Sequence, residues 1–298
     1  MAHDHHLSAA TAHRGRLAVV FAITLVVLVV EVVGAAISGS LALLADAGHV
    51  LADGAGIGLA LLAIRFAARP ATPQRTFGYY RLEILAAVVN AVLLFGVAGF
   101  VLVEAWRRLA EPPEVASSLM LAVAVAGLAA NAASLWLLRD GQRQSLNVRG
   151  AYLEVWADLL GSVTVLAAAA VIARTGFQAA DPIASAVIGL AILPRTWRLL
   201  REAVDVLLEA TPKGVDMDEV RRHLVESPGV TDVHDLHAWT ITSGLPVLSA
   251  HVVLERDADA GKVLDHLTDC LTGHFDIEHS TFQLEQPEHR GHEGVTHR

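Results

Sequence analysis

Four titratable residues stand where an apolar chain normally carries none. His49 and Asp53 lie in Leu41–Ile64, a stretch that reads LALLADAGHVLADGAGIGLALLAI; Glu154 and Asp158 lie in a later one, GAYLEVWADLLGSVTVLAAAAVI. Each pair is spaced i,i+4, so a helix presents both members on one face, one turn apart. Two such helices facing each other would offer one nitrogen and three oxygen donors around a divalent cation. That set suits tetrahedral Zn2+ and also accepts Co2+, Cd2+, Mn2+ or Fe2+; with no thiolate in it, copper(I) is disfavoured. Charged groups at membrane depth cost several kcal/mol unless something compensates them. Polar residues do serve as interhelical glue, but unprotonated carboxylates facing one another repel, and a cation or protons must occupy the site.

The same donors imply a mechanism. Metal ligands must be deprotonated, so metal and protons compete for them. A site open to the cytoplasm would load metal and release protons, and one open outward would take up protons and expel the metal. This is metal/proton antiport by alternating access, and no Walker-type phosphate loop is found. A membrane-bound metal sensor or scaffold that binds without transporting is the alternative. An intramembrane metalloenzyme lacks an HExxH-type pair. An exporter of organic cations would want an aromatic-lined cavity, and aromatics make up only 5% of the chain.

The elements that must position these groups follow from composition. The chain has 298 residues, 54% hydrophobic and 18% charged, with mean hydropathy +0.48; soluble domains are about 25% charged. Six apolar stretches, at 17–37, 41–64, 82–104, 116–138, 152–173 and 182–202, each have the length a helix needs to cross hydrocarbon. The expected fold is therefore a polytopic α-helical membrane protein with six transmembrane helices (17–210). No cleavable signal peptide is expected. Nine arginines (14, 16, 65, 69, 75, 81, 139, 143, 149) flank one side and three (107, 108, 174) the other. The positive-inside rule thus places both termini in the cytoplasm of a cell (inner or plasma) membrane. Residues 1–16, with His3, His5, His6 and His13, read as a disordered cytoplasmic tail. Asp46 reads as a neighbour of the ligands or a cavity-mouth group, Glu31, Asn90 and Asn131 as packing groups. Gly54, Ala55, Gly56 and Gly58 would allow close helix approach.

The pattern changes at Thr211-Pro212. Residues 211–286 alternate as αββαβ: a helix at 216–226, strands at 230–241 and 246–255 around a Ser243-Gly244 turn, a helix at 257–272 and a strand at 278–284. This is a small ferredoxin-like, metallochaperone-like α+β sandwich with both helices on one face of the sheet. A polar tail, 287–298, carries His289, His292 and His297. The net charge of −9 argues against a nucleic-acid partner, and the single Cys270 excludes an internal disulfide.

Several stretches together resemble the cation diffusion facilitators, a family of zinc-transporting metal/proton antiporters. They are ADAGHVLAD at 45–53, RTFGYYRLEILAAVVNA at 75–91, SLNVRGAYLEVWADLLGSV at 145–163, ADPIASAVIGLAI at 180–192 and VHDLHAWTITSG at 233–244. The resemblance runs in order from about residue 15 to residue 286. It implies six transmembrane helices, a cytoplasmic αββαβ domain and a homodimer with one transport site per protomer. The two pairs then fall on the family's site positions in its second and fifth helices. Zinc-selective members usually carry His-x-x-x-Asp in both; here Glu154 replaces the second histidine, a hard oxygen donor that should relax strict zinc preference. The family's His-rich loop between helices four and five is absent.

The resemblance also implies further metal in the cytoplasmic domain, at His234, His251 and Glu285. His234 and His251 lie on two strands of a hairpin and could converge; the alternative is a pair of ordinary strand histidines. His237 is one pleat step off and reads as structural. Metal at this site would couple cytoplasmic metal level to transport. Finally, Arg81 and Glu209 match the family's basic and acidic positions at the membrane–cytoplasm junction, where such a pair could lock the dimer; a snorkelling Arg81 beside a solvated Glu209 is the alternative.

Overall fold

The computed structural model describes residues 4–67, 69–143 and 146–289. Six long helices come first: α1 (Asp4–Ser38), α2 (Leu41–Ala67), α3 (Leu82–Ala110), α4 (Ser117–Leu138), α5 (Leu146–Thr175) and α6 (Ala180–Leu207). All six are long and apolar enough to cross a membrane. α1 begins at Asp4, so the backbone of 4–16 is helical where the sequence predicts a disordered tail; this run is rich in Ala and contains no proline, so nothing stops helix propagation from the apolar span. Residues 1–3 and 290–298, with His3, His292 and His297, lie outside the described residues.

The chain divides into two compact units, Met1–Gly58 with Val89–Arg198 and Leu59–Val88 with Leu199–Arg298. In the first, α4 packs most extensively against α5 and α1. Small residues let these backbones approach: Ala35, Ala42, Ala45, Ala124, Ala168, Ala169 and Ala184 all belong to the buried cluster, interleaved with Leu43, Leu94, Met120, Val165 and Ile188. Large apolar side chains such as Val26, Val92, Trp136 and Leu160 face outward, as expected of helices solvated by lipid. Gly39, with φ +73°, makes the hairpin between α1 and α2, a left-handed conformation that glycine adopts without strain. Of the glycines expected to draw helices together in α2, only Gly56 meets a neighbouring helix, where an added Cβ would collide with Asn90; Gly54 and Gly58 face open space.

The second unit contains the αββαβ domain: α7 (Met217–Val225), β1 (Val230–Thr240), β2 (Pro246–Leu254), α8 (Ala260–Phe275) and β3 (His279–Glu285). The sheet order is β1-β2-β3, antiparallel between β1 and β2 and parallel between β2 and β3. Asp216 and Asp259 cap the two helices, each accepting from backbone N–H groups of the first turn. Val220 and Leu224 of α7 and Val263, Leu267 and Leu271 of α8 pack on Val233, Leu248, Ala250, Val252 and Leu254 of the sheet. Strand residues alternate between faces, so His251 points away from the helices. A bulge between His234 and His237, with Asp235 at φ +48°, shifts the register of β1 and separates the roles of its two histidines.

Candidate metal centres

Helix α2 carries His49 and Asp53 on one face, with His49 Nε2 3.6 Å from Asp53 Oδ2. Helix α5 carries Glu154 and Asp158. Asp53 and Asp158 both lie within electrostatic reach of Glu154. His49 and Asp158 are buried. His49 Nδ1, Asp53 Oδ2 and Asp158 Oδ1 are buried atoms with no hydrogen-bond partner among the described residues. A buried polar atom without a partner costs about 1–3 kcal/mol, a cost that a bound cation or a proton relieves atom by atom.

Behind these ligands lies a second set of buried acids. Asp46, one turn before His49, lies close to Glu31 of α1 and within electrostatic reach of Asp158. A Cβ at Gly161 would collide with the Asp46 carboxylate, so α5 accommodates Asp46 only because residue 161 has no side chain. Asp46 is thus a buried neighbour of the two pairs rather than a mouth group, and Glu31 is buried close to it. Asn131 does bridge helices, donating to Ser162 Oγ at 3.2 Å.

Two contacts escape the sequence analysis. Arg195 of α6 reaches Glu154: its Nη2 donates to both carboxylate oxygens, at 2.8 and 2.7 Å. The sequence offers little signal for it, since Arg195 is followed by Arg198 and Arg201 and reads as the basic end of the span. Asp181, at the start of α6, accepts from Ser40 Oγ at 2.6 Å, from the Leu41 N–H at 2.8 Å and from the Ala42 N–H at 3.2 Å. It caps α2 from another helix; its signal was the acidic residue of ADPIASAV, too distant in sequence to pair by inspection.

In the αββαβ domain His234 and His251 are direct cross-strand partners. Glu285, on β3 opposite Val253, completes a trio. His234 Nε2 lies 3.3 Å from Glu285 Oε2 and His251 Nδ1 2.9 Å from Glu285 Oε1. One donor atom from each residue falls within 4.8 Å of the others, the only such group of three among the described residues. Two imidazoles and a carboxylate are a chemically suitable set for zinc or a similar ion. His237 instead contacts Asp235 at 3.1 Å, and Asp235 also approaches His251 at 3.8 Å. Arg81 and Glu209 form an ion pair at 2.7 Å, both partly exposed.

Six apolar helices, with paired titratable residues buried on two of them and an αββαβ domain following, define a polytopic membrane protein with an intramembrane polar site. Residues 17–208 match the cation efflux transmembrane domain and residues 212–287 the cation efflux protein cytoplasmic domain. The chain belongs to this family, the cation diffusion facilitators. It is 49% identical to the metal cation efflux system protein CzcD of Cupriavidus metallidurans, over 90% of this chain and 85% of that one. It is 44% identical to the zinc transporter ZitB of Escherichia coli, over 97% and 94%. A cadmium, cobalt and zinc/H(+)-K(+) antiporter of Bacillus velezensis is 36% identical over 97% and 93%. The solved metal-bound C-terminal domain of the C. metallidurans CzcD transporter is 42% identical, covering 24% of this chain and 99% of that one, with a TM-score of 0.23.

Proposed function

We propose that this protein exports divalent metal from the cytoplasm in exchange for protons, by alternating access, through a site made of His49, Asp53, Glu154 and Asp158. The observation that carries this reading is the set of three unpartnered buried donor atoms on α2 and α5. Zn2+ is the first substrate, with Co2+ and Cd2+ next and Mn2+ and Fe2+ admitted by the oxygen-rich donor set. Relatives named for zinc, cobalt, cadmium and proton exchange support this choice. The protein works as a homodimer in the cell membrane with both termini cytoplasmic. Arg81 and Glu209 brace the dimer at the membrane junction, and metal held by His234, His251 and Glu285 tunes transport to cytoplasmic metal level.

The test is metal flux in sealed proteoliposomes under a pH gradient, with the five metals run in parallel and an internal pH dye. Metal movement tied to opposite proton movement is expected. Asp53→Ala and Asp158→Ala should each abolish flux in a folded, inserted protein, and retained transport in both would sink the site. Tight binding without flux would favour the sensor reading, for which the preassembled trio at His234, His251 and Glu285 offers a specific basis.

A further inference from the structure

Glu154 differs from the other three members of the transport site. His49, Asp53 and Asp158 each present an unpartnered buried atom, whereas both oxygens of Glu154 are held by one nitrogen of Arg195. The guanidinium is fixed in its charge at any working pH and cannot be deprotonated. It therefore places a permanent positive charge beside the one donor that a dication would need as its fourth. A cation approaching Glu154 must displace Arg195 or meet its repulsion. Glu154 is the carboxylate that Arg195 pairs with, while its charge also reaches Asp53 and Asp158. The pair is partly exposed, with Arg195 at 48% and Glu154 at 33% of side-chain area, so it can exchange without the cost of stranding a fully buried charge.

From this geometry we infer that Arg195 is a positioning residue, a tethered cation that competes with the transported metal for Glu154. His49, Asp53 and Asp158 each keep an atom that Arg195 does not hold. Glu154 joins only by exchanging Arg195 for metal, and Arg195 reclaiming Glu154 drives the ion back out. The inference rests on the transport-site reading above. It predicts that this chain binds metal more weakly and releases it faster than one with four unopposed ligands.

The experiment uses the full-length protein in proteoliposomes, with Zn2+ as the probe and KM and kcat read separately, and calorimetric Zn2+ binding in detergent as a second readout. Arg195→Gln should lower KM and the binding constant by about three- to tenfold, the range expected for releasing one partly exposed ion pair, and lower kcat because release slows. Arg195→Lys keeps the charge and should move KM back toward the native value. In a Glu154→Gln background the effect of Arg195→Gln on KM should shrink, since the contest for Glu154 is gone and only the longer-range repulsion by the Arg195 charge remains. A KM that rises or stays constant in Arg195→Gln overturns the inference, as does an effect of undiminished size without Glu154. Asp158→Ala runs alongside: if it still transports like the native protein, the site itself has been misassigned, whereas its failure together with an unmoved Arg195→Gln rejects only the role of Arg195.

Discussion

At the scale of single residues, the proposed transport site shows which side chains stand out in a sequence. His49, Asp53, Glu154 and Asp158 are legible because each interrupts an apolar run and each pair repeats at one helical turn. Arg195 escapes that logic: with Arg198 and Arg201 close behind, it reads as part of the basic end of a span, and only the structure brings it to Glu154. The consequence is measurable at residue 154. Glu154→His replaces an oxygen donor with imidazole and removes Arg195's anionic partner together. It should sharpen transport of Zn2+ over Mn2+ and Cd2+ in parallel flux assays; an unchanged metal profile would place selectivity elsewhere.

At the scale of elements, length and periodicity carry most of the information. The six spans and the αββαβ order follow from apolar runs and alternation, and the observed helices differ from the expected ranges mainly by extra turns beyond the hydrocarbon, as in α3 and α6. What the pattern misses is contact between distant elements, such as the Asp181 cap on α2, and the β1 bulge that brings Asp235 toward His251. Caps within an element are readable, and α8 shows their chemistry. The backbone N–H of Lys262, followed by that of Gly261 and the Lys262 charge, holds the exposed Asp259 carboxyl below its ordinary value. A carboxyl depressed in the folded state contributes stability above its unfolded value, about 3.9, and loses it as pH falls through the folded one. Asp259→Ala should therefore lower the melting temperature of the C-terminal domain at pH 7, with the gap to the native protein closing below about pH 4. A gap constant with pH would mean the carboxylate charge plays no part.

At the scale of the whole molecule, orientation is argued from arginine placement, and one atom can check it. Cys270 is the chain's single cysteine and sits on α8, where burial pushes its thiol above the ordinary value. Thiolate is the reactive form, so labelling should be slow at pH 7 and speed up toward pH 9. A membrane-impermeant maleimide should leave Cys270 untouched in intact cells and modify it in inside-out vesicles. Labelling of intact cells would reverse the assigned orientation and with it the direction of transport.

Helix α6 touches both ligand-bearing helices by polar contacts: Asp181 grips the first residues of α2, and Arg195 grips Glu154 on α5. Between those grips α6 behaves as a strut. Any rocking that separates α2 from α5, and so pulls the two halves of the site apart, must tilt that strut or let go of one end. The Asp181 end is buried and held by three donors, while the Arg195 end is a partly exposed ion pair. Of the two grips, the Asp181 end is therefore the harder to release and the Arg195 end the easier.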